Sequence, residues 1–241
     1  MTRISRAYPD RVVVRGRDLA GELIGHVSFT AYFHLLVTGH EPSDDELALL
    51  DALLVAIAEH GLMPSNVAAR MTLAADPQAL NGAVAAGILG AGSVILGASE
   101  ECARLLVAAR GRGAEAVVRE LHDAGAKVPG FGHPLHRPLD PRAERILELA
   151  GERGVAGAYV ALAQELRDAV AAVYDRPLTL NVALPIAAVL LDLGYPPGIV
   201  NAVPILARTA GLLAHLAEEQ EEPIGFLLAA KAEEALERDD D

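Results

Sequence analysis

Val128-Pro129-Gly130-Phe131-Gly132-His133-Pro134-Leu135-His136-Arg137-Pro138-Leu139-Asp140-Pro141-Arg142 interrupts a chain that otherwise reads as one helix after another. It lies in the longest irregular piece, residues 127–141, which is rich in Gly, Pro and His. Loops of that composition between helices are where binding and catalysis are usually carried. Gly130 and Gly132 let the backbone approach a ligand and expose amides. His133 and His136 can donate, accept or shuttle a proton near neutral pH. Asp140-Pro141 reads as an N-cap followed by a proline in the first turn. Arg142 then falls in that first turn, where its guanidinium can grip a carboxylate with two donors. The same residues also suit a tight turn with a solvent-exposed His pair.

Helix signals dominate on both sides of this loop. Ser43-Asp44-Asp45-Glu46 is a capping box, in which Ser43 accepts from the Glu46 amide and Glu46 reaches back. Leu47, Leu50, Leu54 and Ile57 follow at helical spacing and predict a helix over about 44–60. Asp76-Pro77 predicts the start of another. Residues 77–99 carry no charge and are long enough to span a membrane. However, Gln78, Asn81, Ser93, Ser99 and a largely Ala and Gly content make them a poor spanning segment. The better reading is a helix or helix pair buried on most sides, in a core or a subunit interface. Gly82, Ala86 and Gly90 would let another backbone approach it closely. Downstream, the pattern predicts a helix opened by Asp140-Pro141, with Ile146, Leu149 and Ala150 on one side, ending near Gly151. Further helices are predicted over 157–174, 182–193, 198–219 and 224–238, with Pro196-Pro197-Gly198 as a break. Only residues 11–15 read as a short strand or hairpin arm.

Composition narrows the classes. Hydrophobic residues make up 52%, aromatics 4%, and there is no Trp, so the core is built from aliphatic residues, as suits close-packed helices. Such apolar content excludes a disordered chain. Asp plus Glu number 33 against 20 Lys plus Arg, a formal net charge of −13. That argues against general nucleic-acid binding, which needs a cationic surface, but allows a local basic pocket for one small anion. The single Cys102 excludes an intrachain disulfide and a cysteine metal cage. No metal-ligand pattern stands out among the histidines. With neither an export signal nor an anchor read at the N-terminus, the expected compartment is the cytoplasm and no membrane partner is expected.

Three further clusters carry polar chemistry. Glu59-His60-Gly61-Leu62-Met63-Pro64-Ser65-Asn66 sits at a helix end, where a lone His is commonly a cap. Asn181 enters an apolar helix, as an Asn cap does. Arg208 is set in Pro204-Ile205-Leu206-Ala207-Arg208-Thr209-Ala210-Gly211. A cation buried there needs an internal acid or a bound anion.

These clusters, in this order, resemble the citrate synthase superfamily, which includes citryl-CoA lyase and the C-terminal part of ATP-citrate lyase. Val128 to His133 with Asp140-Pro141-Arg142 is similar to the family's PG(F/Y)GH…DPR signature. Glu59-His60-Gly61 with Ser65 resembles its substrate-histidine segment. Leu180-Asn181-Val182 resembles its NVD segment, and Ala207 to His215 its RxxGxxAH helix. Arg15-Gly16-Arg17, Ser28-Phe29 and Gly39-His40-Glu41-Pro42 resemble its opening YRGYxI…SFEE…GELP segments. The likeness covers nearly the whole chain, but a long stretch that full-length synthases carry between that opening and His60 is missing.

The resemblance implies an all-α fold with a large domain (1–108 and 203–241), a smaller lid domain (109–202), and a homodimer. It implies no tightly bound cofactor or metal, with a coenzyme A thioester as substrate. CoA would be held partly by Val128, Pro129, Gly130, Phe131 and Gly132, and a carboxylate substrate by His60, Arg142 and Arg208, with His133 as acid or base. Two family residues are replaced: Ile95 stands where the first catalytic histidine would be, and Ala183 where the catalytic carboxylate would be. Glu222-Pro223 stands where the partner-lent arginine of an RP pair is expected. Loss of one general base typically costs ~10²–10⁴ in rate. Three readings follow. The preferred one is a carbon–carbon lyase or synthase of the citryl-CoA lyase/citrate synthase type, since the ligand-gripping set is intact in type and order. The others are a silent CoA- or carboxylate-binding homologue and a helical dimer with no ligand.

Overall fold

The computed structural model describes residues 2–133 and 135–236. The chain is helical throughout except near its start, as the patterning predicts. By internal contacts it divides into two units, one of residues 1–53 and 100–200, the other of 54–99 and 201–241.

The first unit opens with a small antiparallel sheet of β1 (Ser5–Ala7), β2 (Val12–Val14) and β3 (Arg17–Asp18), so the arm read at 11–15 is its middle strand. Val14 registers with Ser5 on one side and Arg17 on the other. Val14 and Leu23 pack with Leu35 of α1 (Phe29–Thr38) into a small core. The capping box forms as expected at α2 (Asp44–Ala58): the Ser43 amide donates to Glu46 Oε2 at 2.7 Å, and the Glu46 amide to Ser43 Oγ at 3.3 Å. After α5 (Ala98–Arg112), α6 (Ala114–Asp123) packs on α8 (Ala158–Val173), while α7 (Pro141–Glu152) and α8 pack on α9 (Ala183–Asp192). In α9, residues Ala183 through Leu191 are all buried, which accounts for its unbroken apolar sequence. Asp192, at its end, caps α8 across the unit. Its carboxylate accepts from the amides of Gly157, Tyr159 and Val160 at 3.1, 3.0 and 2.9 Å. A Cβ on Gly157 would lie 2.5 Å from Asp192 Cγ, so glycine is required there.

The second unit is built on α3 (Pro64–Ala75), α4 (Leu80–Ile95), α10 (Ala202–Glu221) and α11 (Gly225–Leu236). Ala69, Leu73, Ala83, Leu212 and Leu216 form its apolar centre. Close approach uses Gly90, as expected, and Gly87, but not Gly82: an added Cβ would meet Ala68 Cβ at 3.1 Å on Gly90 and Leu212 Cδ2 at 2.7 Å on Gly87, whereas on Gly82 it would meet only Ala79 Cβ, at 3.5 Å. Asp76 does not open α4. It is the C-cap of α3, its Oδ1 accepts from the Gln78 amide at 3.2 Å, and α4 starts only at Leu80. The uncharged segment bends at Gly92, where φ is 53°. It buries one face (Ala83, Gly87, Ala91) and leaves Leu89 and Val94 80% and 88% exposed, so within its unit it is not enclosed on most sides.

One of the buried cations of this unit is Arg70, 1% exposed, which donates to Glu219 at 2.9 Å and also pairs with Glu218. Glu219 Oε1 accepts the amides of Ile224 and Gly225 at 3.0 and 2.7 Å, so one carboxylate joins α3, α10 and the start of α11. Burial by itself would raise the Glu219 carboxyl; the Gly225 amide, Arg70 and the Ile224 amide outweigh it and hold the pKa below the ordinary carboxylate range. Glu219→Ala is expected to lower unfolding free energy by about 3 kcal/mol in urea titration, the low end for a broken buried pair because Glu218 still holds Arg70. The depressed pKa means Glu219 contributes fully above its unfolded value of ~4.3, and the contribution fades as pH falls through the lower folded value. The stability gap between wild type and Glu219→Ala should therefore narrow below about pH 4.

Candidate functional site

The loop ahead of His133 is laced to the segment before α9. Gly130 O accepts the Asn181 amide at 2.9 Å, the Gly132 amide donates to Thr179 O at 2.7 Å, and Phe131 forms a single bridge with Leu180. Asn181 Nδ2 donates to Gly132 O at 3.0 Å, while its Oδ1 accepts the amide of Ala183, the first residue of α9, at 3.1 Å, so it caps as expected. Gly130 adopts φ +83°, and a Cβ there would lie 2.6 Å from Leu184 Cβ and 3.0 Å from Cys102 Sγ. Gly132 also has positive φ, +89°, but nothing lies within 4 Å of where its Cβ would be. The first glycine is thus demanded by packing, while the second leaves open space beside the backbone. Val128 is buried and Phe131 half-buried.

Asp140, 0% exposed, ties this loop to α7 and to the chain before α9. Its Oδ1 accepts the Arg142 amide at 3.1 Å and Arg142 Nε at 3.0 Å; its Oδ2 accepts Arg142 Nη2 at 2.9 Å and the Val182 amide at 3.1 Å. Burial alone would raise the carboxyl, but the Arg142 guanidinium and the two amides hold it below the usual range. Sequence reasoning gave Asp140 only as a cap. Its grip on one edge of Arg142 fixes the guanidinium, which is 20% exposed, with its other terminal nitrogen turned away from the clasp.

His133 stands beside that guanidinium, with Nε2 at 3.4 Å from Arg142 Nη2. Its Nδ1 accepts the amides of Leu135 and His136 at 3.1 and 2.9 Å. Nδ1 therefore accepts, and Nε2 is the ring nitrogen that faces the guanidinium. The His136 ring lies alongside, centroids 4.3 Å apart. The first unit therefore brings together the loop 128–132, His133 and Arg142, and sets an imidazole nitrogen next to a cation.

His60 and Arg208 belong to the second unit. His60 follows α2 by two residues and is half-buried. Arg208, 2% exposed, lies on α10 one turn before Gly211, whose added Cβ would meet Ala58 O at 2.2 Å. Arg208, Gly211 and His215 share one face of α10 by their spacing, and that face meets the end of α2 through Gly211 and through His215 Nε2, 3.1 Å from Glu59 Oε2. Sequence reasoning gave no role to Glu59, Arg70 or His215. The available signal was Arg70, a lone cation in an apolar helix whose burial demanded a partner. Ile95 ends α4, Ala183 begins α9 in a buried position, and Glu222 is the C-cap of α10.

The family model for the C-terminal domain of citrate synthase matches residues 4–225. A protein of Mycobacterium tuberculosis named putative citrate synthase 2 is 37% identical over 194 residues, which are 75% of this chain and 49% of that one. The chain thus spans about half the length of the curated relatives it matches. Among solved structures, the citryl-CoA lyase of Hydrogenobacter thermophilus superposes with a TM-score of 0.86 at 30% identity, over 91% of this chain and 86% of that chain. The citrate synthase of Pyrobaculum aerophilum gives 0.68 at 25% identity, over 82% and 51%. The match over 4–225, together with the helical fold and the loop and clasp described above, places this chain in the citrate synthase family.

Proposed function

We propose that the chain is a CoA-thioester-dependent carbon–carbon lyase or synthase of the citryl-CoA lyase/citrate synthase type, acting on a hydroxy-carboxylate. The observation that carries this reading is His133: two amides occupy Nδ1, so Nε2 is the nitrogen that meets a substrate oxygen, beside an Arg142 fixed by Asp140. The similarity to a citryl-CoA lyase over most of both chains supports the same class.

In cleavage, the bond between the hydroxyl-bearing carbon and the α-carbon of the thioester breaks. Its electron pair passes to the thioester as an enolate, and the hydroxyl proton leaves as the keto acid forms. His133 exchanges that proton through Nε2: the protonated nitrogen gives it to the alkoxide in condensation, and cleavage, the reverse step, starts with Nε2 unprotonated. The amide donors at Nδ1 and the Arg142 cation stabilise the electron-rich ring left after the transfer. Arg142, Arg208 and His60 hold carboxylates, and CoA enters as substrate along Val128, Pro129, Gly130, Phe131 and Gly132. In this reading residues 109–202 are the lid. The exposed Leu89 and Val94 of α4 are covered by a second copy of the chain, which supplies the homodimer.

Ile95 and the buried Ala183 favour a second reading, a silent homologue that binds CoA or a carboxylate without turnover, because neither side chain can move a proton. The two readings separate on incubation with citryl-CoA, while keto acid release is followed, or with acetyl-CoA and a panel of 2-oxo acids, while keto acid consumption and free thiol are followed. The lyase or synthase reading expects turnover that falls by ~10²–10⁴ in His133→Ala. Ligand-induced thermal shift without turnover would establish the silent homologue, and neither turnover nor shift would sink both. For the assembly, sedimentation velocity should give a dimer, with the double variant Leu89→Asp, Val94→Asp sedimenting as a monomer. A wild-type monomer would contradict the covered face.

A further inference from the structure

Glu59 closes the turn in which His60 sits. Its Oε1 accepts the amides of His60 and Gly61 at 2.8 and 2.6 Å, so the side chain closes the very turn that presents the next residue. Gly61, at φ +73°, completes that turn. Asn66 Nδ2 donates to Gly61 O at 2.9 Å and lies 3.4 and 3.5 Å from the two Glu59 oxygens; Ser65 Oγ donates to Asn66 Oδ1 at 3.0 Å. Ser65 and Asn66 are both fully buried.

The other Glu59 oxygen faces His215. Its Oε2 is 3.1 Å from His215 Nε2, and His215 Nδ1 is 3.1 Å from Arg70 Nε. A guanidinium can only donate, so Nδ1 accepts and Nε2 carries the proton toward Glu59. Arg70 is immobilised in turn by Glu219 and Glu218. The sense of every bond from Arg70 through His215 to Glu59 is therefore fixed. Four groups converge on a carboxylate whose side chain is 47% exposed, where a solvated Glu would sample several rotamers. Burial would raise this carboxyl, but His215 and the two amides prevail and hold it below the ordinary range.

We propose that Glu59 is a positioning residue for His60, locked in place by His215 and Arg70, and that this chain of contacts presets the angle at which the His60 ring meets a substrate carboxylate. The inference rests on the reading of His60 as carboxylate-binding. Residues that orient a ligand-binding histidine without touching the ligand are a recognised source of affinity.

The test is a double-mutant cycle on the full chain, with citrate and CoA titrated separately by calorimetry. Glu59→Ala is expected to weaken citrate about tenfold, as when a charge-assisted hydrogen bond is lost, and to leave CoA affinity unchanged. In a His60→Ala background the same change should alter citrate affinity by less than about twofold, since Glu59 acts through His60. Amide hydrogen exchange at Gly61 should speed up. Glu59→Gln, which keeps an acceptor for the two amides, should recover most of the loss, and it carries the test with His215→Gln if the alanine variant does not fold. A tenfold loss that persists in His60→Ala, or equal weakening of citrate and CoA, would overturn the relay alone. If His60→Ala leaves citrate binding intact, or the wild type binds no citrate, the carboxylate-site reading falls and the relay with it.

Discussion

A carboxylate taken out of water must be met by donors, and that requirement organises the polar architecture of each unit of this chain. In the first unit the acid is Asp140, met by Nε and Nη2 along one edge of the Arg142 guanidinium and by two backbone amides. In the second it is Glu219, met by Arg70 and the two amides that open α11. Such pairs add little stability over an apolar substitute, because desolvation offsets much of the attraction. What they contribute is position. Asp140 joins a glycine-rich loop, a helix start and the chain before α9 at one atom pair; Glu219 does the same for three helices.

The chemistry follows from those positions. Arg142 does not wander because Asp140 holds one edge of it, and the His133 ring is held by the two amides that meet its Nδ1. Gly130 is fixed by the contact its missing Cβ permits with Leu184 and Cys102, and this sets the path of the backbone into His133. In the proposed reading Ala183 and Ile95 stand where the family's proton-transferring groups would be, so binding and turnover are properties to be tested separately.

Much of this was legible in the sequence where the signal is short-range. The capping box at Ser43 and Glu46 and the Asp140-Pro141 start come from contacts spanning a few residues, and the helices over 157–174 and 182–193 from apolar spacing within one segment. Other helices were missed, among them α1, despite its Ser28 cap. α3 begins at Met63 with no side-chain cap and turns Ser65 and Asn66 inward, and α6 begins at an uncapped Gly113. Asp76 has the sequence of a helix start but serves the end of the preceding helix, since the turn that follows uses its carboxylate. Long-range pairings were illegible in principle: Asp192 caps a helix 35 residues upstream of it, and Arg70 meets Glu219 across 149 residues. The burial of Arg70 could be suspected from its apolar neighbours, but not which acid would answer it.

The central claim is that the turn from Val128 to His133, with Arg142 beside it, receives a CoA thioester and a carboxylate. A crystal structure of the chain soaked with CoA and citrate tests it most directly. The account predicts pantetheine density along Gly130 to Gly132, a citrate carboxylate on Arg142, and the citrate hydroxyl within hydrogen-bond distance of His133 Nε2. Density for both ligands away from that turn, with His133 and Arg142 touching neither, would contradict it.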